Sequence, residues 1–535
     1  MKNEIESIII VGGGSSGWMT AAAIIKNLPN IKLTLIESPN IPIIGVGEST
    51  LGHINEYMHF IGLKDEDWMK HCNATYKTSI KFTDFANNPQ EKPTSFHYPF
   101  GCFDFTDKPT GIMDWFIYKA KNPDTPNSNF AEFYHDAVFM IDENKLTKNE
   151  NGCIRNFIFN RDTAYHMDAS LFGNYLRDHI CKPNNIRHIL SNVKDIKLDK
   201  EGAVTSVVTD SGEYDADLYI DCTGFKSLIL DQKMKVPFMS FHDTLMNDRA
   251  IATIIDYVDK EKEMESVTNC TAIECGWVWN IPLWNRIGTG YVYSSEFATE
   301  EQALEQFKRH LKSNRMICQD DDRVEKAEYR HIKIRHGVHE QSWVKNVVGI
   351  GLSNGFIEPL ESTGLMLTHE AILKMVNILK TRNCVVTKFD VDGYNFNLRQ
   401  QILGFKEFIS LHYALSARRD TPYWKKVSQQ ITYCPSMLDK ETGSNQYANV
   451  SNFGISKREF NSDMGGIPYI AAGMGLNPVD DRRVDFINRL QDSNADEYFW
   501  ARTRDVWELH VRDLKRILKR LPTHYKYLLD NIYNK

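Results

Sequence analysis

The sequence predicts an α/β fold: a three-layer core pieced together from separated stretches of chain, a β-rich region and a helical C-terminal part. Three observations predict it. Residues 8–18 read IIIVGGGSSGW, a short apolar run that passes through glycines into a helix. Short apolar runs of the same kind return far along the chain, at residues 216–220 and 347–350. From residue 394 onward the periodicity is mainly helical.

The first run carries the most specific signal. Ile8 to Val11 read as a buried parallel strand. Gly12, Gly14 and Gly17 then form a G-x-G-x-x-G turn, with apolar Met19, Ala21 to Ala23, Ile24 and Ile25 behind it. Glycine is needed there because the backbone turns tightly and a diphosphate must approach its N–H groups closely. The helix N-terminus favours the negative charge. A second strand, beginning at Lys32, ends in Glu37, about 20 residues past the last glycine, where a carboxylate can reach a ribose hydroxyl. The pattern predicts a dinucleotide site.

Composition narrows the class. The chain has 535 residues, 42% of them hydrophobic and 25% charged, as in ordinary globular proteins. Its 63 basic and 70 acidic residues give a net charge of −7, which argues against a nucleic-acid surface. The basic run at residues 512–519 alternates with leucines and reads as a solvated helix face. The ten cysteines are scattered, with no C-x-x-C; reduced thiols and a cytoplasmic location are expected. No run approaches the ~20 apolar residues of a membrane span. No metal is expected: there is no H-E-x-x-H, and His166 and Asp168 form an isolated pair.

In chain order, residues 43–50 (IIGVGEST) read as a glycine-bearing loop able to lie flat against a planar ring, or as a plain turn before a helix at 51–62. Residues 73–82 (NATYKTSIKF) alternate as one strand with Lys77 and Lys81 on one face. Residues 96–105, with Tyr98 and Phe100, are aromatic-rich. Residues 122–151 read as a polar surface insertion, and 165–176 as an amphipathic helix. Strands at 203–209 and 216–220 are expected to be joined by the Ser211–Gly212 turn. The second ends in Asp221, Cys222, Thr223 and Gly224, a second approach to the nucleotide. Residues 276–282 (GWVWNIP) place Trp277 and Trp279 on one face of a strand, forming a core or cavity wall. Residues 346–364 (NVVGIGLSNGFIEPLESTG) end at a helix start that Ser362 or Thr363 can cap and that suits a small anion. Pro359 carries Glu358 and Glu361 to that end.

Together these segments resemble the flavin-dependent halogenases of the tryptophan-halogenase type. GGGSSGW, GVGEST, YKTSIKF, DCTG, GWVWNIP and FIEPLESTG carry the resemblance, and the tryptophan motif is the most specific of them. His412-Tyr413 and RDTPYW at 419–424 are similar to the family's helical part. The likeness leaves open a viral member with broad substrate and halide scope.

The resemblance implies a FAD-binding core formed by residues 1–85, 155–235 and 340–385. It further implies a substrate region at 86–154 and 236–339, and a helical cap at 386–535. It assigns Gly12, Gly14, Ser15, Ser16 and Gly17 to the flavin diphosphate and Glu37 to the ribose. Val46, Gly47, Ser49, Leu352 and Leu365 would border the flavin ring, and Val193 the adenine. Thr363 and Gly364 would hold the halide. Phe100, Trp277, Trp279 and Ser362 would line the substrate pocket. Lys77 matches the essential lysine and Glu361 the glutamate facing it. The implied reaction uses FADH2, oxygen and halide to make hypohalous acid, which reaches Lys77 through a tunnel and halogenates an electron-rich aromatic such as an indole or phenol. Lys77 acts as a haloamine or as a hydrogen-bond donor. FADH2 would come from a separate flavin reductase, since no second dinucleotide turn is evident. The late aromatic segment that grips free tryptophan in the family is replaced by FNSDMGGIPY at 460–469. The alternatives are a flavin-dependent aromatic monooxygenase and a non-catalytic flavin-binding protein; oligomeric state stays open.

Overall fold

The computed structural model describes residues 4–40, 47–106, 108, 113–313, 321–429, 466–475 and 495–534. Gly45 and Val46 lie outside the described residues.

The strand Ser7–Val11 sits within a six-stranded sheet. It pairs in parallel with Lys32–Glu37 on one side and Leu218–Asp221 on the other. Arg187–Leu190 and Val347–Gly349 extend the sheet in parallel, and Trp343–Val344 closes one edge antiparallel. Alternation along the first strand builds the layers. Ile8 and Ile10 join a core with the helices Ser15–Asn27 and Thr363–Thr381. Ile9 and Val11 pack instead with Ile196, Val204 and Val207, from the small antiparallel sheet on the other face. The result is helices, central sheet and small sheet: the three layers the sequence predicts.

A second sheet of seven strands forms the β-rich region. Gly276–Pro282 lies in its middle, antiparallel to Ile287–Tyr293 and Val267–Ile273. Ser79–Thr83 and Ser95–Pro99 form its far edge. A three-stranded sheet of Glu48–Ser49, Ala164–Met167 and Thr75–Lys77 lies at the join of the two cores. The C-terminal part is helical, with Lys388–Ala414 the longest described helix there.

Four expectations are corrected. The strand expected over 73–82 is two strands in different sheets, Thr75–Lys77 and Ser79–Thr83, because Thr78 leaves the ladder and donates its N–H to Ser266 O at 2.7 Å. The helix expected from 165 begins as a strand, Ala164–Met167; Asp168 then caps a helix over Ala169–Tyr175 through its Oδ1. Asp168 also meets Arg286 at 2.9 Å. The insertion at 122–151 is not purely surface: Phe130, Phe133, Tyr134 and Val138 are buried together. Finally, Val204–Thr209 turns back into Gly212–Tyr214, and Leu218–Asp221 goes to the central sheet instead.

The glycine turn is packed tightly on its inner side. A Cβ on Gly17 would lie 1.9 Å from Gly12 O, and one on Gly12, at φ +114°, 2.2 Å from Cys222 O. Gly17→Ala is therefore expected to cost about 2 kcal/mol in denaturant unfolding, the usual scale of overpacking, and to weaken flavin binding measured by fluorescence quenching.

Candidate active site

The dinucleotide turn has one closed and one open side. A Cβ on Gly14 would meet nothing within 4 Å. The helix Ser15–Asn27 starts without a side-chain cap, so its first N–H groups are available to an anion. Glu37 reaches back over Gly13, and His188 Nε2 stands 2.8 Å from its Oε1. These residues fit a bound flavin dinucleotide. Asp221 is buried and its carboxylate holds its own turn, accepting from Thr223 N, Ile229 N and Leu230 N at 2.8–3.0 Å. Leu352 is 39% exposed and Leu365 is buried. Val193 begins the strand Val193–Leu198 of the small sheet.

The second helix start is unusual. Ser362 stands at the N-cap of Thr363–Thr381 but has φ +57° and makes no cap hydrogen bond. A non-glycine residue there costs roughly 1–2 kcal/mol. Its hydroxyl turns instead to Lys77 Nζ, at 2.8 Å. The helix end is left uncapped, Thr363 Oγ1 is buried without a partner, and a Cβ on Gly364 would meet nothing within 4 Å. Free N–H groups and an orphan hydroxyl suit a small anion.

Lys77 is fully buried. Its Nζ donates to Ser362 Oγ and to Thr50 O, at 2.8 and 2.9 Å, and lies 5.0 Å from the centre of the Phe100 ring. Burial pushes the amine down to about 7, against the opposing pull of Cys270 and Glu361. Cys270 is also buried there, with its Sγ 3.8 Å from Leu360 O.

Glu361, next to Ser362, is also buried. His412 Nε2 is 2.7 Å from its Oε1. The contact is short but poorly aligned for an N–H bond, and both atoms lack any other hydrogen-bond partner. His412 Nδ1 faces Phe408 O at 3.1 Å and must donate to that carbonyl.

The tryptophan wall behaves as the sequence suggests. Trp277 and Trp279 are buried, with ring centres 6.3 Å apart. Trp279 packs over Gly290, where any Cβ would strike its ring at 2.2 Å. Trp277 Nε1 donates to Glu358, which also accepts from Tyr413 OH and, at 2.7 Å, from Asn247 Nδ2. Burial holds the Glu358 carboxyl above the usual range, opposed by the bonds from Tyr413, Trp277 and Asn247. Sequence reasoning noted Glu358 but not this role. It missed Thr268 and Asn247 in the buried polar networks, and weighed His166 only as a metal ligand, because each lies on a strand or loop far from Lys77 in sequence.

The tryptophan halogenase family matches residues 7–486. The chain belongs to the tryptophan halogenase family. It is thus one of the flavin-dependent halogenating enzymes, which use FADH2 and halide. It is 31% identical to tryptophan 7-halogenase RebH of Lentzea aerocolonigenes, covering 99% of both chains. It is 34% identical to tryptophan 6-halogenase SttH of Streptomyces toxytricini, over 78% of this chain and 80% of that one. Among solved structures, VirX1 in its apo form matches with a TM-score of 0.89 and 44% identity, over 99% of this chain and 100% of that one. BrvH, a flavin-dependent halogenase from Brevundimonas sp. BAL3, matches at 0.81 and 28% over 99% of both.

The ionisation of Lys77 can be read directly. Its acylation by a small amine-reactive anhydride, followed by mass spectrometry of the labelled peptide, should titrate with a midpoint of about 7, against ~10.4 for exposed lysines. Between those values the unfolded chain binds one more proton than the folded one. Lys77's contribution to folding stability therefore rises with pH across that window and is flat below it.

Proposed function

We propose that this enzyme halogenates an electron-rich aromatic, such as an indole or phenol, at Lys77 and Glu361, using hypohalous acid generated at a separate flavin site. The observation that carries the reading is the buried Lys77 amine, tied to Ser362 at the start of the helix whose N-terminus suits a halide.

Gly12, Gly14, Ser15, Ser16, Gly17 and Glu37 would hold the flavin diphosphate and ribose. Val46, Gly47, Ser49, Leu352 and Leu365 would border its ring, and Val193 the adenine. Bound reduced flavin, with oxygen, supplies the oxidising power that converts halide to hypohalous acid. Thr363 and Gly364 hold the halide through the helix N–H groups. Trp277 and Trp279 wall the flavin side from the pocket. Lys77 receives the oxidised halogen and directs it to the ring carbon; a neutral amine and an N–H donor are both within reach of a group half-titrated at about 7. The carbon–halogen bond forms as the halogen's bond to the hypohalous oxygen, or to the Lys77 nitrogen, breaks; the hydroxyl leaves as water, and the ring then gives its proton to Glu361, beside His412. A separate reductase, meeting this chain through diffusing FADH2, fits a sequence with one dinucleotide turn.

RebH and SttH act on tryptophan by name. For this chain a broader aromatic is favoured. Of the segment 460–469, only 466–469 lie among the described residues. There Tyr469 stacks on Phe103 at 4.8 Å and on Tyr98 at 5.8 Å, and Phe100 meets Tyr98 edge-on. Among the described residues of that segment this is an aromatic cluster.

Two experiments test the reading. A panel of aromatics incubated with chloride, bromide or iodide and a flavin-reducing system should give halogenated masses only when halide is present. Hydroxylated product without halide would favour a monooxygenase instead. Lys77→Ala is expected to abolish halogenation while flavin still binds, and Glu361→Gln to slow it by roughly 10²–10³-fold, the scale of a lost proton acceptor. Retained turnover in Lys77→Ala would remove the lysine from the mechanism.

A further inference from the structure

A chain of buried hydrogen bonds leads away from Lys77 and has a single sense. Ser362 Oγ, which accepts from Lys77, is 3.0 Å from Ser49 Oγ; Ser49 Oγ is 2.7 Å from Thr268 Oγ1; Thr268 Oγ1 is 2.8 Å from His166 Nε2. All five residues are at most 7% exposed. The far end fixes the direction. Thr75 Oγ1 spends its proton on Pro282 O at 2.6 Å, so it can only accept from His166 Nδ1, 3.4 Å away. A neutral imidazole with its proton on Nδ1 has a bare Nε2. That atom must accept from Thr268, Thr268 from Ser49, Ser49 from Ser362, and Ser362 from Lys77.

We propose that His166, acting through Thr268, Ser49 and Ser362, is a positioning residue that keeps the lone pair of the neutral Lys77 amine free. A neutral amine has two N–H bonds, and Ser362 Oγ and Thr50 O use both. The lone pair is what remains to meet an electrophilic halogen. If the chain ran the other way, Ser362 would donate to that lone pair and occupy it. Neutral His166 follows from its surroundings: burial, Lys77 and His524 all disfavour its charged form, with only a backbone bond to Pro282 opposing them. Around Lys77 itself the other ionisable groups are Glu361 and Cys270. This role rests on the proposed function, but its test does not.

The test compares Thr268→Val, which removes the hydroxyl, with Thr268→Ser, which keeps it. The first readout is acylation of Lys77 by a small amine-reactive anhydride at about pH 9, where an amine held down at about 7 is neutral. Thr268→Val should lower that rate about tenfold, because Ser49 loses its acceptor and the chain can reverse; Thr268→Ser should stay within about twofold of the native rate. Halogenation should follow the same order, with flavin affinity unmoved. Should Thr268→Val fail to fold, Ser49→Ala breaks the chain at the next link and carries the same expectation for acylation of Lys77, with no expectation for flavin affinity because Ser49 borders the proposed flavin site. Native-like acylation in a folded, chain-broken variant overturns the proposal. If the native protein halogenates none of the aromatics while acylation still falls in Thr268→Val, the positioning role stands and the reading of the reaction falls.

Discussion

Lys77 gives up its water to sit between Ser362 Oγ and the Thr50 carbonyl, and the surrounding elements are arranged around that exchange. Burying an ammonium costs several kcal/mol after relaxation. Two hydrogen bonds and the Phe100 face return part of it. The remainder appears as an amine pushed down to about 7. An exposed lysine is almost wholly protonated at neutral pH; this one is poised between its two forms. The three-stranded sheet that carries it packs where the dinucleotide core and the β-rich core meet, so both cores set its position.

Ser362 links that lysine to the anion end of the helix Thr363–Thr381. A serine at a helix start usually caps its own helix. Here a left-handed backbone turns the hydroxyl outward to Lys77 and leaves the helix N–H groups uncapped. The same residue therefore keeps an anion site open and fixes the amine beside it. Glu361, one residue earlier, lies 2.7 Å from His412 of the helix Lys388–Ala414. The helical part thus reaches the buried carboxylate beside Ser362.

Much of this was legible in the sequence, and the failures have a common cause. The glycine turn and the strand Lys32–Glu37 were readable because a tight turn needs glycines at fixed spacing. The tryptophan pair was readable because strand alternation puts both on one face. Lys77 was read as one tooth of a single strand because the alternation runs unbroken from Tyr76 to Phe82; the break at Thr78 comes from Ser266, 188 residues away. The stretch beginning at Tyr165 has helical periodicity beyond Asp168, but its first residues pair with Thr75–Lys77, a partner that local pattern cannot reveal. Glu361 and Lys77 became informative only as a pair, through resemblance. Thr268 and His166 gave no signal of their own, since a buried hydrogen-bond chain has no periodicity.

The central claim is that the halide and the catalytic amine occupy adjoining but separate places, divided by Ser362. Anomalous scattering from crystals grown in bromide tests it most directly. The account predicts a bromide peak against the N–H groups of Thr363 and Gly364, on the flavin side of Ser362. Bromide bound only to Lys77, with that helix end empty, would contradict it.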